Sequence, residues 1–441
     1  MITIIIAVFL AGYLMIALES VTKINKAGTA ILMAVICWVL YSTGGFAGNE
    51  LDEVIERNLG EAGTTLFFLM GAMTIVELVD SYGGFNFVRR LLQTKSKRNL
   101  LWKMAILTAV LSAVLDNLTT TIVMLMILNK LVADENDKLT YASMIVIAAN
   151  AGGAFSPIGD VTTIMLWNGG MVSATGVIKS LILPSIASFV VPCLILQHRL
   201  KGSLSLAEAP KVATRTIVKK GEEYVRRSER YEIFAIGVGG LCLVPVFHTL
   251  TGLPPFVGIF AVVGILWIIT DILHRNIKKS SHTLTLMFGR IDMATIMFFL
   301  GILMSVSVLS ETGVLNELGK WLSDHVSNNY VLTGCIGVLS SIVDNVPLVA
   351  GSMKMYPIAD AAMVASDPVL GAMVQDGIFW QLLAYCAGVG GSMLIIGSAA
   401  GVVAMGTEHI SFGWYMKNIS WIALAGFLAG MAVYAIQSLI F

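Results

Sequence analysis

The heptapeptide LSAVLDN at residues 111–117 returns as LSSIVDN at residues 339–345. Each copy sets an aspartate beside an asparagine, Asp116–Asn117 and Asp344–Asn345, within apolar sequence. A carboxylate at the centre of a membrane helix costs roughly 2.5–3.5 kcal/mol on insertion scales, so it marks a functional site by default. Four elements carry buried polarity of this kind. They are DNLTTT (Asp116, Asn117, Thr119, Thr120, Thr121), NAGGAFSPIGDVTT (Asn150, Ser156, Asp160, Thr162, Thr163), SSIVDNVP (Ser340, Ser341, Asp344, Asn345) and GVGGSMLIIGSAAG (Ser392, Ser398). Carboxylates, amide oxygens, hydroxyls and the carbonyls freed around glycine and proline are hard ligands, suited to Na⁺ or Li⁺ rather than a soft metal.

The acids at membrane depth are Glu77, Asp80, Asp116, Asp160 and Asp344, whereas Lys103, Lys130 and Lys354 stand towards segment ends. Acids without bases favour a cation over a carboxylate or phosphate anion. An acid alone in low dielectric can also hold a proton near neutral pH. Protons and Na⁺ then compete for the same oxygens, which is the simplest basis for exchange. Each residue has a plainer reading. Asp116, Asp344 and Asp160 could be helix N-caps, but Ser or Asn would cap without the charge, so function is preferred. Glu77 stands evenly between proton carrier and packed acid. Threonine hydroxyls often bond back to their own helix, and small-residue runs also serve close helix packing.

These residues need a membrane scaffold. Of 441 residues, 56% are hydrophobic and 13% charged, and the mean hydropathy is +0.83. Soluble domains carry about 25% charged residues, so this is an all-α polytopic membrane protein. Zero net charge argues against a nucleic-acid partner. Five scattered cysteines form no CxxC pattern and six histidines are dispersed, so neither a disulfide framework nor a metal cluster is expected. The apolar start, without a basic flank or cleavage site, reads as a retained helix.

Spans of about 20 apolar residues are expected at 2–19, 27–45, 63–81, 176–198, 231–250, 254–273, 291–310 and 418–440. The stretches around Asp116 and Asp344, 101–130 and 330–355, are too short on either side to cross, and read as re-entrant hairpins. Segments 140–170 and 377–407, with glycine at their centres, read as broken helices. Residues 1–200 and 231–441 then form two repeats joined by a charged linker, 201–230. Basic residues cluster at 89–103, 199–230 and 275–290, opposite an acidic 46–62 loop. The positive-inside rule places the basic clusters in the cytoplasm and both termini outside, which makes the repeats inverted. FFLMG (67–71) answers FFLG (298–301), Gly152–Gly153 answers Gly390–Gly391, and Gly159 answers Gly397.

DNLTTT, SPIGDVTT and the paired Asp-Asn hairpins resemble the NhaD-type Na⁺/H⁺ antiporters of the ion transporter superfamily, over nearly the whole chain. The resemblance implies two inverted repeats, each with a re-entrant hairpin and an unwound helix, and a transport part moving against a scaffold, often in a homodimer. It implies cation or proton handling by Asp116, Asn117, Asn150, Ser156, Asp160, Thr162, Thr163, Asp344, Asn345 and Ser398, with Na⁺ at Asp116, Asn117, Asp160 and Asn345. Glu77 and Ser340 join these as candidates from the residues themselves. Ser398 stands where Asp160 stands in the first repeat, so more acid comes from the first half. The expected function is electrogenic Na⁺ (or Li⁺)/H⁺ exchange in a bacterial inner membrane, amid lipid. No cofactor is expected, since Na⁺, Li⁺ and H⁺ are cargo. The alternatives are an arsenite/antimonite or dicarboxylate carrier of the same superfamily, or an intramembrane aspartyl protease.

Overall fold

The computed structural model describes residues 1–17, 19–46, 50–200, 202–204, 226–274, 284–326, 328–342, 344–366 and 368–440. Sixteen principal helices carry the architecture, eight in each half. The first half has α1 (Ile2–Ala17), α2 (Lys26–Thr43), α3 (Leu51–Ser81), α4 (Lys97–Leu115), α5 (Asn117–Leu131), α6 (Glu135–Ala154), α7 (Val161–Asn168) and α8 (Ala174–Leu196). The second has α9 (Arg227–Thr251), α10 (Pro255–His274), α11 (Met293–Glu311), α12 (Asn329–Ser340), α13 (Asn345–Met355), α14 (Ile378–Gly390), α15 (Ala399–Thr407) and α16 (Ser420–Ile440). Eight of the described helices are long and apolar enough to cross a membrane. The protein is a multi-pass, all-α membrane protein built from two inverted repeats.

The packing repeats with the sequence. Helix α4 lies on α6 as α12 lies on α14. Helix α2 lies on α11 as α10 lies on α3, so the outer helices are exchanged between halves. The half-helices are exchanged too: α7 packs on the second hairpin's α13, and α15 on the first hairpin's α5. The closing helices α8 and α16 pack on each other.

The paired motifs explain these contacts. In LSxxxDN the serine pins the hairpin. Ser112 Oγ donates to Ala149 O at 2.6 Å, and Ser340 Oγ to Ala387 O at 2.7 Å. Beside each serine bond a glycine lets backbones touch. A Cβ on Gly152 would collide with the backbone of Ala109, and one on Gly390 with that of Gly337. Gly71, which closes FFLMG, packs on Ile259 of α10, while Gly301, which closes FFLG, packs on the Ala30 backbone of α2.

Two boundaries differ from the sequence reading. Residues 51–62 are helical, the opening turns of α3, rather than part of an acidic loop. Asp52 and Glu53 sit in the first turn, where the helix dipole favours acids. Val54, Asn58 and Ala62, spaced by four, are buried against the bundle. Helix α4 likewise begins earlier, at Lys97, where Ser96 Oγ accepts from Asn99 N at 3.4 Å. By length and composition α4 could span a membrane, but the chain turns at Asp116 and α5 packs back along α4 and α6.

The basic clusters meet at one end of the bundle. Leu204 N donates to Lys95 O at 2.8 Å, Arg98 Nε to Gln197 O at 3.2 Å, and Arg230 Nε to Tyr82 O at 3.0 Å. Lys201, residues 205–225 and residues 275–283, with most of the linker's charge, lie outside the described residues.

Valine at Gly152 should destabilise the fold by about 1–3 kcal/mol through overpacking, while valine at Gly264, which has open space around its Cβ position, should be tolerated. Thermal unfolding of the detergent-purified variants, followed by size-exclusion fluorescence, reads the difference.

Candidate ion-binding site

The hairpin tips and helix breaks meet where four half-helices begin. Each of α5, α7, α13 and α15 is capped by a side chain from the turn before it. Asp116 accepts from Thr119 N at 2.7 Å, Asp160 from Thr162 N at 3.0 Å, Asp344 from Val346 N at 3.4 Å and Ser398 from Gly401 N at 3.2 Å. The plain capping reading is therefore correct for the three aspartates, Ser398 caps in the same way, and capping does not exclude a second role. Four helix N-termini bring positive partial charge to one region, and three of their four caps are carboxylates.

Asp160 is the centre, 1% exposed. Its Oδ2 accepts from Asn117 Nδ2 at 2.9 Å, and its Oδ1 from Thr162 N and Thr162 Oγ1, each at 3.0 Å. Asn345 Nδ2 stands 3.5 Å from both carboxylate oxygens. The duplicated Asp-Asn motif thus delivers its two asparagines, one from each hairpin, to one aspartate. Asn117 also donates to Asn150 Oδ1 at 3.1 Å, and Asn150 Nδ2 donates to Ser392 Oγ and Ser398 Oγ, each at 2.9 Å. The network ties both hairpins to both broken helices. Gly388, the counterpart of Asn150 at the repeat spacing, leaves room: a Cβ there would stand 3.6 Å from Asp160 Oδ2.

Asp116 is arranged differently from Asp344. Both its oxygens face Thr119, the second at 2.8 Å from Thr119 Oγ1. Its backbone, at φ 85° and ψ 158°, occupies a region normally left to glycine, a strain of about 1–3 kcal/mol. Thr119 lines a cavity of about 200 Å³ that reaches Glu77, Asp80, Arg290 and Asp292 at the basic end of the bundle. A larger cavity, about 460 Å³, lies towards the other end of α3, lined by Asn58, Thr65, Asn168, Ser307 and Lys354.

A family model described as a citrate transporter (CitMHS) matches residues 2–375. Sodium/proton antiporter 1 of Arabidopsis thaliana is 42% identical over 424 residues, covering 96% of this chain and 70% of that protein. The Na(+)/H(+) antiporter NhaD of Vibrio parahaemolyticus is 31% identical over 428 residues, covering 90% of this chain and 96% of that one. The chain belongs to the CitMHS family, alongside the NhaD-type antiporters. These relatives are transporters, not enzymes. The solved structure of the Alcanivorax borkumensis YdaH transporter superposes with a TM-score of 0.54 at 14% identity, over 88% of this chain and 89% of that one, a likeness of fold.

Within this NhaD-like framework the structure groups Asn117, Asn150, Asp160, Thr162, Asn345 and Ser398 in one bonded network. Other candidates stand apart from it. Ser340 is spent on Ala387 O, and Ser156 Oγ accepts from Ile158 N at 3.4 Å within its own turn. Thr163 keeps a buried hydroxyl with no partner among the described residues, as does Thr120. Glu77 pairs with Arg290 at 3.5 Å and is partly exposed, at the cavity rather than the centre. Asp344 is ion-paired to Lys26 at 3.1 Å. Lys26 escapes a sequence reading because a lysine at the edge of an apolar run looks interfacial. Ser392, one of the polar residues of the glycine-rich motif, is bonded to Asn150 although the sequence did not place it among the cation-handling candidates.

Glycine at Asp116 relieves the backbone strain and, as an N-cap, forfeits only a few tenths of a kcal/mol. Asp116→Gly should therefore unfold at or above the temperature of the parent protein while losing cation-dependent activity. A clear drop in thermal stability would show that the carboxylate is kept for folding.

Proposed function

We propose that this protein exchanges Na⁺ or Li⁺ for H⁺, with Asp160 as the carboxylate that takes cation and proton in turn. The observation that supports this reading most is the state of Asp160. It is buried, surrounded by amide and hydroxyl groups from both repeats, and free of any ion pair among the described residues. A carboxylate so placed is expensive to leave charged and alone, and either a proton or a small monovalent cation neutralises it. Asn117 and Asn345 can turn their amide oxygens towards a cation, since nothing but the hydrogen-bond network fixes which end faces Asp160. The names of the antiporter relatives agree with this cargo.

Asp116 supplies a second acid at the neighbouring tip. Two acids allow more than one proton per Na⁺, so the exchange is electrogenic, each net charge drawing about 2.3 kcal/mol per 100 mV of membrane potential. The basic end of the bundle faces the cytoplasm by the positive-inside rule, and the cavities towards the two ends of α3 are its alternate approaches. The hairpins and broken helices move as the transport part.

The family description names citrate, but the centre is poor ground for a citrate-like anion. Asp160 and Asp116 would face it, and Lys26, the basic side chain paired with a tip carboxylate among the described residues, is already engaged by Asp344. A neutral arsenite would find no sulfur ligand in the bonded network around Asp160.

In everted vesicles with a pH-sensitive dye, Na⁺ or Li⁺ should collapse the proton gradient, and Asp160→Asn should abolish the response. The half-saturating Na⁺ concentration should rise as pH falls, approaching about tenfold per unit where one proton competes with one Na⁺. No response to either cation across the neutral-to-alkaline range would end this reading.

A further inference from the structure

The two hairpin tips are alike in sequence and unlike in charge balance. Asp344 Oδ2 lies 3.1 Å from Lys26 Nζ, with both side chains largely buried. No described residue forms an ion pair with Asp116. The source of the difference is in the repeat itself. Ala30 of α2 faces Gly301, and Ile259 of α10 faces Gly71, so the two helices correspond at these positions. Counting back four residues from each sets Lys26 opposite Pro255. The first repeat supplies a tethered ammonium where the second supplies a proline.

Lys26 is held by three partners, Asp344, Phe298 and Glu19. Its ammonium stands 4.3 Å from the Phe298 ring centroid, on α11. Its backbone N–H donates to Glu19 Oε1 at 3.1 Å. Beside it lies a cavity of about 150 Å³ lined by Tyr13, Glu19, Lys26, Asp344, Pro347 and Ile396. Two carboxylates, Glu19 and Asp344, therefore line one small cavity, and the lysine ammonium in it is ion-paired to Asp344. Without the lysine, that space is large enough for a partly hydrated monovalent ion, whose water accounts for roughly 30 Å³ per molecule.

We propose that Lys26 is a built-in cation that fills the second repeat's carboxylate, Asp344, and so limits the protein to one transported cation, held at Asp160. Lys26 is a positioning residue in this scheme. It does not touch the cargo; it decides how many cargo ions the duplicated site accepts. The inference rests on the reading of Asp160 as the cation site, and it explains how a twofold motif can serve a single ion.

The test counts ²²Na⁺ bound per purified chain at alkaline pH. The parent protein should bind one, and Lys26→Met should bind two, with Na⁺ binding becoming sigmoidal or biphasic. Lys26→Arg, which keeps the charge, should bind one. If Lys26→Met does not fold, the double variant Lys26→Met/Asp344→Asn removes both charges together, and it should retain one Na⁺. A Lys26→Met protein that folds and binds only one Na⁺ overturns the inference, as does loss of the remaining Na⁺ in a folded double variant. If the parent protein itself binds no Na⁺, the failure lies with the cation-exchange reading instead.

Discussion

A carboxylate buried in the middle of a membrane protein dictates much of this structure. Asp160 sits in the break between α6 and α7, 1% exposed, and must find its hydrogen-bond donors within the protein. A charge there without partners would cost several kcal/mol or more. Its donors come from its own half-helix, through Thr162, and from both hairpin tips, through Asn117 and Asn345. That requirement draws two hairpins from opposite repeats to one point. The close approach is possible because Gly152 and Gly390 let each broken helix lie directly on a hairpin backbone, with Ser112 and Ser340 pinning the contact.

The inverted repeat supplies this geometry twice, but the chemistry is placed once. Asp160 has Ser398 as its counterpart, Asn150 has Gly388, and Lys26 has Pro255. Each replacement acts in the same direction. Ser398 caps its helix without adding a charge. Gly388 clears space next to Asp160. Lys26 pairs with Asp344, the acid at the second repeat's hairpin tip. The scaffold is repeated, while the side chains set on it are asymmetrical, and it is this asymmetry that the proposed single ion site rests on. Strain follows the same pattern: Asp116 carries the glycine-like backbone, while Asp344, at φ −48°, does not.

The distinction between capping and ion handling also dissolves at this site. A half-helix beginning inside a membrane leaves its first N–H groups without partners, and a carboxylate cap answers them while remaining a potential ligand. Asp116 and Asp160 both cap their half-helices in this way, and in the proposed exchange the same carboxylates would also meet the ion. This is why the broken helices and the polar site occur together: the break creates the donors, and the donors justify the acid.

Much of this was legible in the sequence. Hydropathy alone required a polytopic helical protein, and the LSxxxDN and glycine repeats marked two homologous halves, because a packing contact that recurs needs the same residues at the same spacing. The buried acids announced themselves by their cost in apolar surroundings. What tertiary structure decided was which of them share one centre. Periodicity along a chain cannot show that Asn117 and Asn345, 228 positions apart, reach the same carboxylate, nor that Lys26 at a helix start folds onto Asp344. Nor could it separate Ser340, spent on a backbone carbonyl, from Ser398, bonded to Asn150. Local sequence sets what each segment can be. Long-range packing sets which charges are left without a partner, and that electrostatic remainder is what selects an ion.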